Sequence, residues 1–198
     1  IMGSTGGVGG TTISCNLAHE LARYSNRPCA LLDLDLDFGD VAESLDAQTS
    51  YTLADLCVPS VHLDQDVIRK AVHELPGQVH LLARPNDLGQ AHEVCTEGVA
   101  EMLSMLSNSH IVVDVPRAFT NLNVATIQKA DLVLIVSQLR VASVRNAHRA
   151  YELLMQMGAD EDRIHLVLNR YNADHEHVTS ADVERNIGQK IFAKVPND

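Results

Sequence analysis

No run of residues in this 198-residue chain is apolar over the ~20 positions that a membrane-spanning helix needs, so the sequence offers no transmembrane segment. Basic residues are scarce: 15 lysines and arginines stand against 26 acids, a formal charge of −11. An acidic surface repels a phosphate backbone, which argues against non-specific nucleic-acid binding. Cysteine is sparse too, and Cys15, Cys29, Cys57 and Cys95 form no C-x-x-C pair. This pattern reads as reduced, buried thiols of a cytosolic protein. Within these residues no internal repeat, low-complexity tract or linker stands out, and no signal peptide is expected. What is present is 45% apolar residues, enough for one full domain core.

The segment Ser4-Thr5-Gly6-Gly7-Val8-Gly9-Gly10-Thr11-Thr12 is a phosphate loop without its lysines. A P-loop reads G-x-x-x-x-G-K-[ST], with glycines that let backbone N–H groups close around phosphates. The spacing is kept, but Ser4 stands at the first glycine and Gly10 at the lysine. The same stretch imitates the dinucleotide pattern G-x-G-x-x-G/A, with Asp33 about where that fold puts its ribose-binding acid. Thr12 falls at the third glycine of that pattern, whereas the Thr11-Thr12 pair suits magnesium and an α-phosphate. The P-loop reading is the better fit. Only Ile1-Met2 precede the loop as a remnant of a strand, and Met2 is not an initiator. The expectation is a segment of a longer polypeptide.

Apolar spacing predicts a helix over residues 11–24, a buried strand over 29–34, helices over 53–57 and 64–75, and a strand over 79–83. Further on it predicts a helix over 93–106, a strand over 110–115, a helix over 122–129 and a strand over 132–136. A helix over 143–157, a strand over 164–168, a helix over 181–187 and a strand over 190–195 complete the chain. Alternating strands and helices imply an α/β fold over residues 1–198, a mostly parallel, doubly wound sheet with helices on both faces. In such sheets ligands bind at strand carboxyl ends. There lie the glycine loop, Asp33-Leu34-Asp35, Asp114, Asn169-Arg170 and Pro196-Asn197-Asp198.

Asp114 closes an apolar strand as a Walker B aspartate does when it holds magnesium through water. Asp33 and Asp35 alternate along an extended chain, so one can orient a metal or water while the other caps a turn. Asp37 and Asp40 read as exposed loop charges. His175-Glu176-His177 lies in a polar loop with no third ligand at a recognisable spacing, which argues against zinc.

These residues resemble the MinD/ParA family of deviant Walker A ATPases, and within it the CpaE/TadZ pilus-assembly branch. The family loop reads K-G-G-V-G-K-T-T; here Thr5 and Gly10 replace both lysines, and Gly6-Gly7-Val8-Gly9 is intact. Residues 32–40, Leu-Asp-Leu-Asp-Leu-Asp-Phe-Gly-Asp, resemble its switch I segment, with Asp35 at the water-orienting position. Val112-Val113-Asp114-Val115-Pro116-Arg117 is similar to its Walker B and switch II segment, and the continuation Ala118-Phe119-Thr120 to the pilus branch. Val167-Leu168-Asn169-Arg170-Tyr171-Asn172 and the closing Val195-Pro196-Asn197-Asp198 resemble its adenine-facing segments.

The resemblance implies ATP or ADP with Mg2+ as ligand. The phosphates fall to Gly6, Gly7, Val8, Gly9, Gly10, Thr11 and Thr12, the base to Asn169, Arg170, Pro196 and Asn197, and the metal to Thr11, Asp33 and Asp114. It also implies a nucleotide-sandwiched homodimer, cytoplasmic, that positions Flp (tight-adherence) pilus machinery at a pole or at the inner face of the membrane through partner proteins. No membrane contact is expected from these residues themselves. With both loop cations absent, the expectation is weak ATP binding and little or no hydrolysis. Two alternatives are an active ATPase switch cycling between monomer and dimer, and, more remotely, an NAD-dependent oxidoreductase.

Overall fold

The computed structural model of the chain describes residues 1–172 and 178–197, so His175-Glu176-His177 and Asp198 lie outside the described residues. Two compact units carry the elements: Thr11–Thr126, and Ile1–Gly10 together with Ile127–Asp198. The α/β class read from the sequence is observed, with parallel pairing throughout except at one edge strand.

In the Thr11–Thr126 unit the four-stranded sheet runs β3-β4-β2-β5. Its strands are β2 (Cys29–Asp33), β3 (His73–Leu75), β4 (Val79–Leu82) and β5 (His110–Asp114). All five residues of β2 are buried, as an internal strand of a parallel sheet covered on both faces requires. Its register sets Asp33 directly beside Asp114 on β5. Helix α1 (Gly10–Ser25) begins at the glycine loop, with Thr11 and Thr12 in its first turn. Short helices α2 (Val41–Ser44), α3 (Leu53–Leu56), α4 (Gln65–Ala71) and α5 (Leu88–Ala91) follow, then α6 (Thr96–Met105) and α7 (Asn121–Lys129). Ala30, Leu32, Leu34, Leu53, Leu56 and Met102 anchor one hydrophobic cluster. Burying such leucines contributes about 1.5–3 kcal/mol each.

Three expectations are corrected here. The helix predicted over 64–75 stops at Ala71, and His73–Leu75 is instead a strand antiparallel to β4. Pro76, Gly77 and Gln78 make the turn, with Gly77 at φ 80° and Gln78 at φ 63°, so chain reversal wins over helical continuation. The helix predicted over 93–106 begins only at Thr96, because Cys95 is extended and caps it. Cys95 is half-buried rather than buried, while the other three free thiols are buried as expected.

The second unit carries a four-stranded parallel sheet, β1-β6-β7-β8. It is built from β1 (Met2–Gly3), β6 (Val133–Ser137), β7 (Ile164–Tyr171) and β8 (Ile191–Pro196). Helix α8 (Val141–Gln156) packs on β6 through Ser143, Val144, Ala147, Ala150 and Leu154, one helical stripe. Helix α9 (Ser180–Ile187) is closed at its start by a Thr179–Asp182 capping box and at its end by Gly188 in the left-handed region. β7 runs past the predicted end at residue 168, so Asn169 and Arg170 lie inside a strand rather than beyond it. The ladder to β8 is irregular there, and Arg170 takes φ 51°. Pro196 likewise belongs to β8, opposite Tyr171.

Candidate functional site

The loop joining β1 to α1 holds its shape by hydrogen bonds that its own sequence does not announce. The Ser4 N–H donates to Val136 O at 2.8 Å, continuing the pairing of β1 with β6. The Ser4 and Ser143 hydroxyls lie 2.7 Å apart, and Ser137 is 3.0 Å from the same Ser143 oxygen. The Gln138 N–H donates to Ser143 Oγ at 3.1 Å. A glycine at position 4 could not supply the hydroxyl contact to Ser143. Ser4 is thus a built part of the loop and not merely a lost glycine.

Asn169 braces the loop from β7: its Nδ2 donates to Val8 O at 2.7 Å. Gly6 and Gly7 are exposed, Val8 is buried, and Gly9 takes φ 90°. A Cβ at Gly9 would run into the Asn169 amide, so both conformation and space require glycine there. Arg170 is exposed, and Asn197 follows the end of β8 as an exposed residue.

Within the other unit the structure brings together Thr11, Ser14, Asp33 and Asp114. Thr11 Oγ1 donates to Asp114 Oδ2 at 2.7 Å, and Ser14 Oγ to Oδ1 at 2.9 Å. The Asp114 carbonyl accepts from the Leu34 N–H at 2.9 Å, locking the ends of β5 and β2 together. Burial raises the Asp114 carboxyl above the usual range, and the two hydroxyls oppose the rise. Thr12, exposed on the same helical turn, is left open to solvent.

Asp33 has no solvent exposure, and its carboxylate organises the segment that follows it. The Asp35 N–H donates to Oδ1 at 3.1 Å and the Val41 N–H to Oδ2 at 3.2 Å. Burial, reinforced by the charge of Asp114, pushes the Asp33 carboxyl up to about 7, against the pull of those backbone donors. Asp35, half-buried, closes the inner turn: it accepts from the Phe38 N–H at 3.2 Å through its side chain and from the Gly39 N–H at 2.7 Å through its carbonyl. Both aspartates therefore hold turns, and Asp37 and Asp40 are exposed as expected.

Sequence reasoning missed two residues. Ser14 lies three positions after Thr11, on the same face of α1, so helical spacing was the signal that it too reaches Asp114. Arg84, just beyond β4, spans the segment from outside: Nε donates to Gly39 O, Nη1 to Pro85 O at 2.8 Å and Nη2 to Glu43 at 3.2 Å. Arg117 and Arg140 are exposed. Among the described residues no three His, Cys, Asp or Glu side chains cluster to hold a metal by themselves, and no helix is long and apolar enough to cross a membrane.

The sequence model of the CobQ/CobB/MinD/ParA nucleotide binding domain matches residues 1–198. The septum site-determining protein MinD of Thermotoga maritima is 25% identical over 97% of this chain and 72% of its own length. The crystal structure of a ParA family ATPase from Chlorobium tepidum superposes with a TM-score of 0.91 at 26% identity, covering 100% of this chain and 82% of that one. The fold is also that of Pyrococcus horikoshii MinD, solved with Mg-ADP, at a TM-score of 0.82 and 18% identity, over 100% of this chain and 81% of that one.

Proposed function

Because the chain belongs to the CobQ/CobB/MinD/ParA nucleotide-binding family, we propose that its lysine-free loop is a weak site for ATP with Mg2+, and that the protein is a localisation scaffold of Flp pilus assembly rather than a fast ATPase. The observation that carries this reading is the 2.7 Å hydrogen bond from Thr11 to Asp114. A hydroxyl and a carboxylate at the start of a helix are hard oxygen donors, the kind Mg2+ takes alongside waters and phosphate oxygens. Thr11 and Asp114 would hold the ion, with Asp33 acting through water. The backbone N–H groups of residues 6–12 and the N-terminal end of α1 would hold the phosphates.

Bound Mg2+ would supply charge neutralisation to the β- and γ-phosphates. The chain's own contribution to hydrolysis would be small. Each missing lysine removes a charge-assisted contact of roughly 1.5–3 kcal/mol, and loss of one preorganised donor commonly costs about 10²–10³ in rate. The pilus-assembly assignment rests on the Pro116-Arg117-Ala118-Phe119-Thr120 run. A homodimer and protein partners of the pilus machinery complete the proposal.

A second reading is an active switch that hydrolyses ATP between monomer and dimer. It is favoured by Asp35, which sits in a segment already ordered by Asp33 and Arg84. Calorimetric titration of the chain with ATP and Mg2+, repeated with Asp114→Ala, tests the first reading. Micromolar binding lost in the variant supports it. No heat up to millimolar ATP, from a chain shown to be folded, overturns it in favour of a constitutive protein-binding platform. Steady phosphate release that vanishes in Asp35→Ala establishes the second reading.

A further inference from the structure

Two of the four cysteines meet in the Thr11–Thr126 unit. Cys57 ends α3 and Cys95 caps α6. The Cys95 N–H donates to the Cys57 carbonyl at 2.8 Å. One direct backbone hydrogen bond holds the two α-carbons within the roughly 4.4–6.8 Å that a disulfide spans.

The side chains share a surface as well. Cys95 Sγ accepts from the Gly98 N–H at 3.4 Å, and Cys57 Sγ lies 3.8 Å from Met102 Sδ. The Cys95 sulfur thus caps the first turn of α6, and the Cys57 sulfur packs on Met102 one turn further along the same helix. Gly98 permits this closeness, because a Cβ there would stand 2.8 Å from Cys57 Cα. Cys15 and Cys29 sit elsewhere, on α1 and β2.

We propose that Cys57 and Cys95 form a modification site, a dithiol that a small-molecule disulfide of the glutathione class oxidises to an internal cross-link. Cys95, half-buried, reacts first: its thiolate attacks one sulfur of the oxidant and expels one thiolate, leaving a mixed disulfide. Cys57 then gives up its proton and attacks Cys95 Sγ, which expels the second thiolate. Two protein thiols lose two electrons and two protons, and one disulfide becomes two thiols. The second step is the slow one. Cys57 has no solvent exposure, and burial, with Cys95 and Glu101 nearby, pushes its thiol up to about 12. The product would fasten the end of α3 to the start of α6.

The test is incubation of the folded chain with glutathione disulfide, followed by denaturation, alkylation and peptide mapping by mass spectrometry. The expected result is loss of two thiols per chain, one Cys57–Cys95 peptide, and Cys15 and Cys29 still alkylated. Cys57→Ser is expected to stop at a mixed disulfide on Cys95. Cys95→Ser, at the half-buried position, keeps the fold and should lose no thiol at Cys57. Retention of all four thiols by the folded chain overturns the proposal. So does a cross-link through Cys15 or Cys29, or one that forms only in denaturant.

Discussion

Asp33 and Asp114 stand side by side in register on parallel strands, both buried, each with its carboxylate occupied by donors from its own surroundings. Two adjacent carboxylates cannot both ionise cheaply in such a place, and this strain, added to burial, raises both above the usual carboxylate range.

The pH dependence of stability follows from that strain. A carboxyl raised from 3.8 to about 7 binds its proton more tightly folded than unfolded. Its contribution is therefore largest below the unfolded value and is lost as pH rises from about 4 through 7. Asp33→Asn removes the charge while keeping one acceptor oxygen. It is expected to raise stability at pH 8 by about 1–3 kcal/mol and to flatten the profile between pH 5 and 8. Urea unfolding at the two pH values measures this; an unchanged slope would overturn it.

Ser14→Ala leaves Asp114 Oδ1 without its hydroxyl donor in a buried site. A loss of about 1–3 kcal/mol is expected from the orphaned carboxylate oxygen. Ser14→Thr, which retains a hydroxyl, should lose less. Thermal denaturation of the two variants side by side decides the point.

Gly9→Ala meets two penalties, a left-handed backbone and the amide of Asn169, whereas Gly7→Ala meets only the first, with nothing near its Cβ. Gly7→Ala should cost about 1 kcal/mol and Gly9→Ala roughly 2–4. Equal losses in chemical denaturation would mean that Asn169 moves aside freely.

Gly10→Lys restores the cation at the first residue of α1, where φ is not positive. Affinity for ATP with Mg2+ is expected to rise about tenfold to a hundredfold over the parent chain, with slow hydrolysis persisting while Thr5 remains. Calorimetry and phosphate release read the two effects separately.

Arg84→Ala removes the clamp on the Gly39 carbonyl and on Glu43. The segment carrying Asp35 is expected to open more often, seen as faster amide exchange at Gly39 and Val41, with a global loss of about 1–3 kcal/mol. Unchanged exchange would show that Asp33 alone holds the segment.

The alternation of strand and helix, the position of the phosphate loop and the two acids that end β2 and β5 are legible in the chain alone. Those features are local. An apolar run bounded by Asp, or glycines before a helical stripe, fixes backbone choice within a few residues, and pattern alone reveals it. Folding settles what depends on partners distant in the chain. The hydroxyl of Ser4 has meaning only beside Ser143, Asn169 only beside Val8, and Arg84 only beside Gly39. It settles the fate of residues 73–75 as well: their alternation is too short to declare a strand until β4 offers its backbone groups across the Pro76-Gly77-Gln78 turn. Hydrogen bonds between segments far apart leave no periodicity in the sequence, because each demands only one residue of the right kind at one point in space.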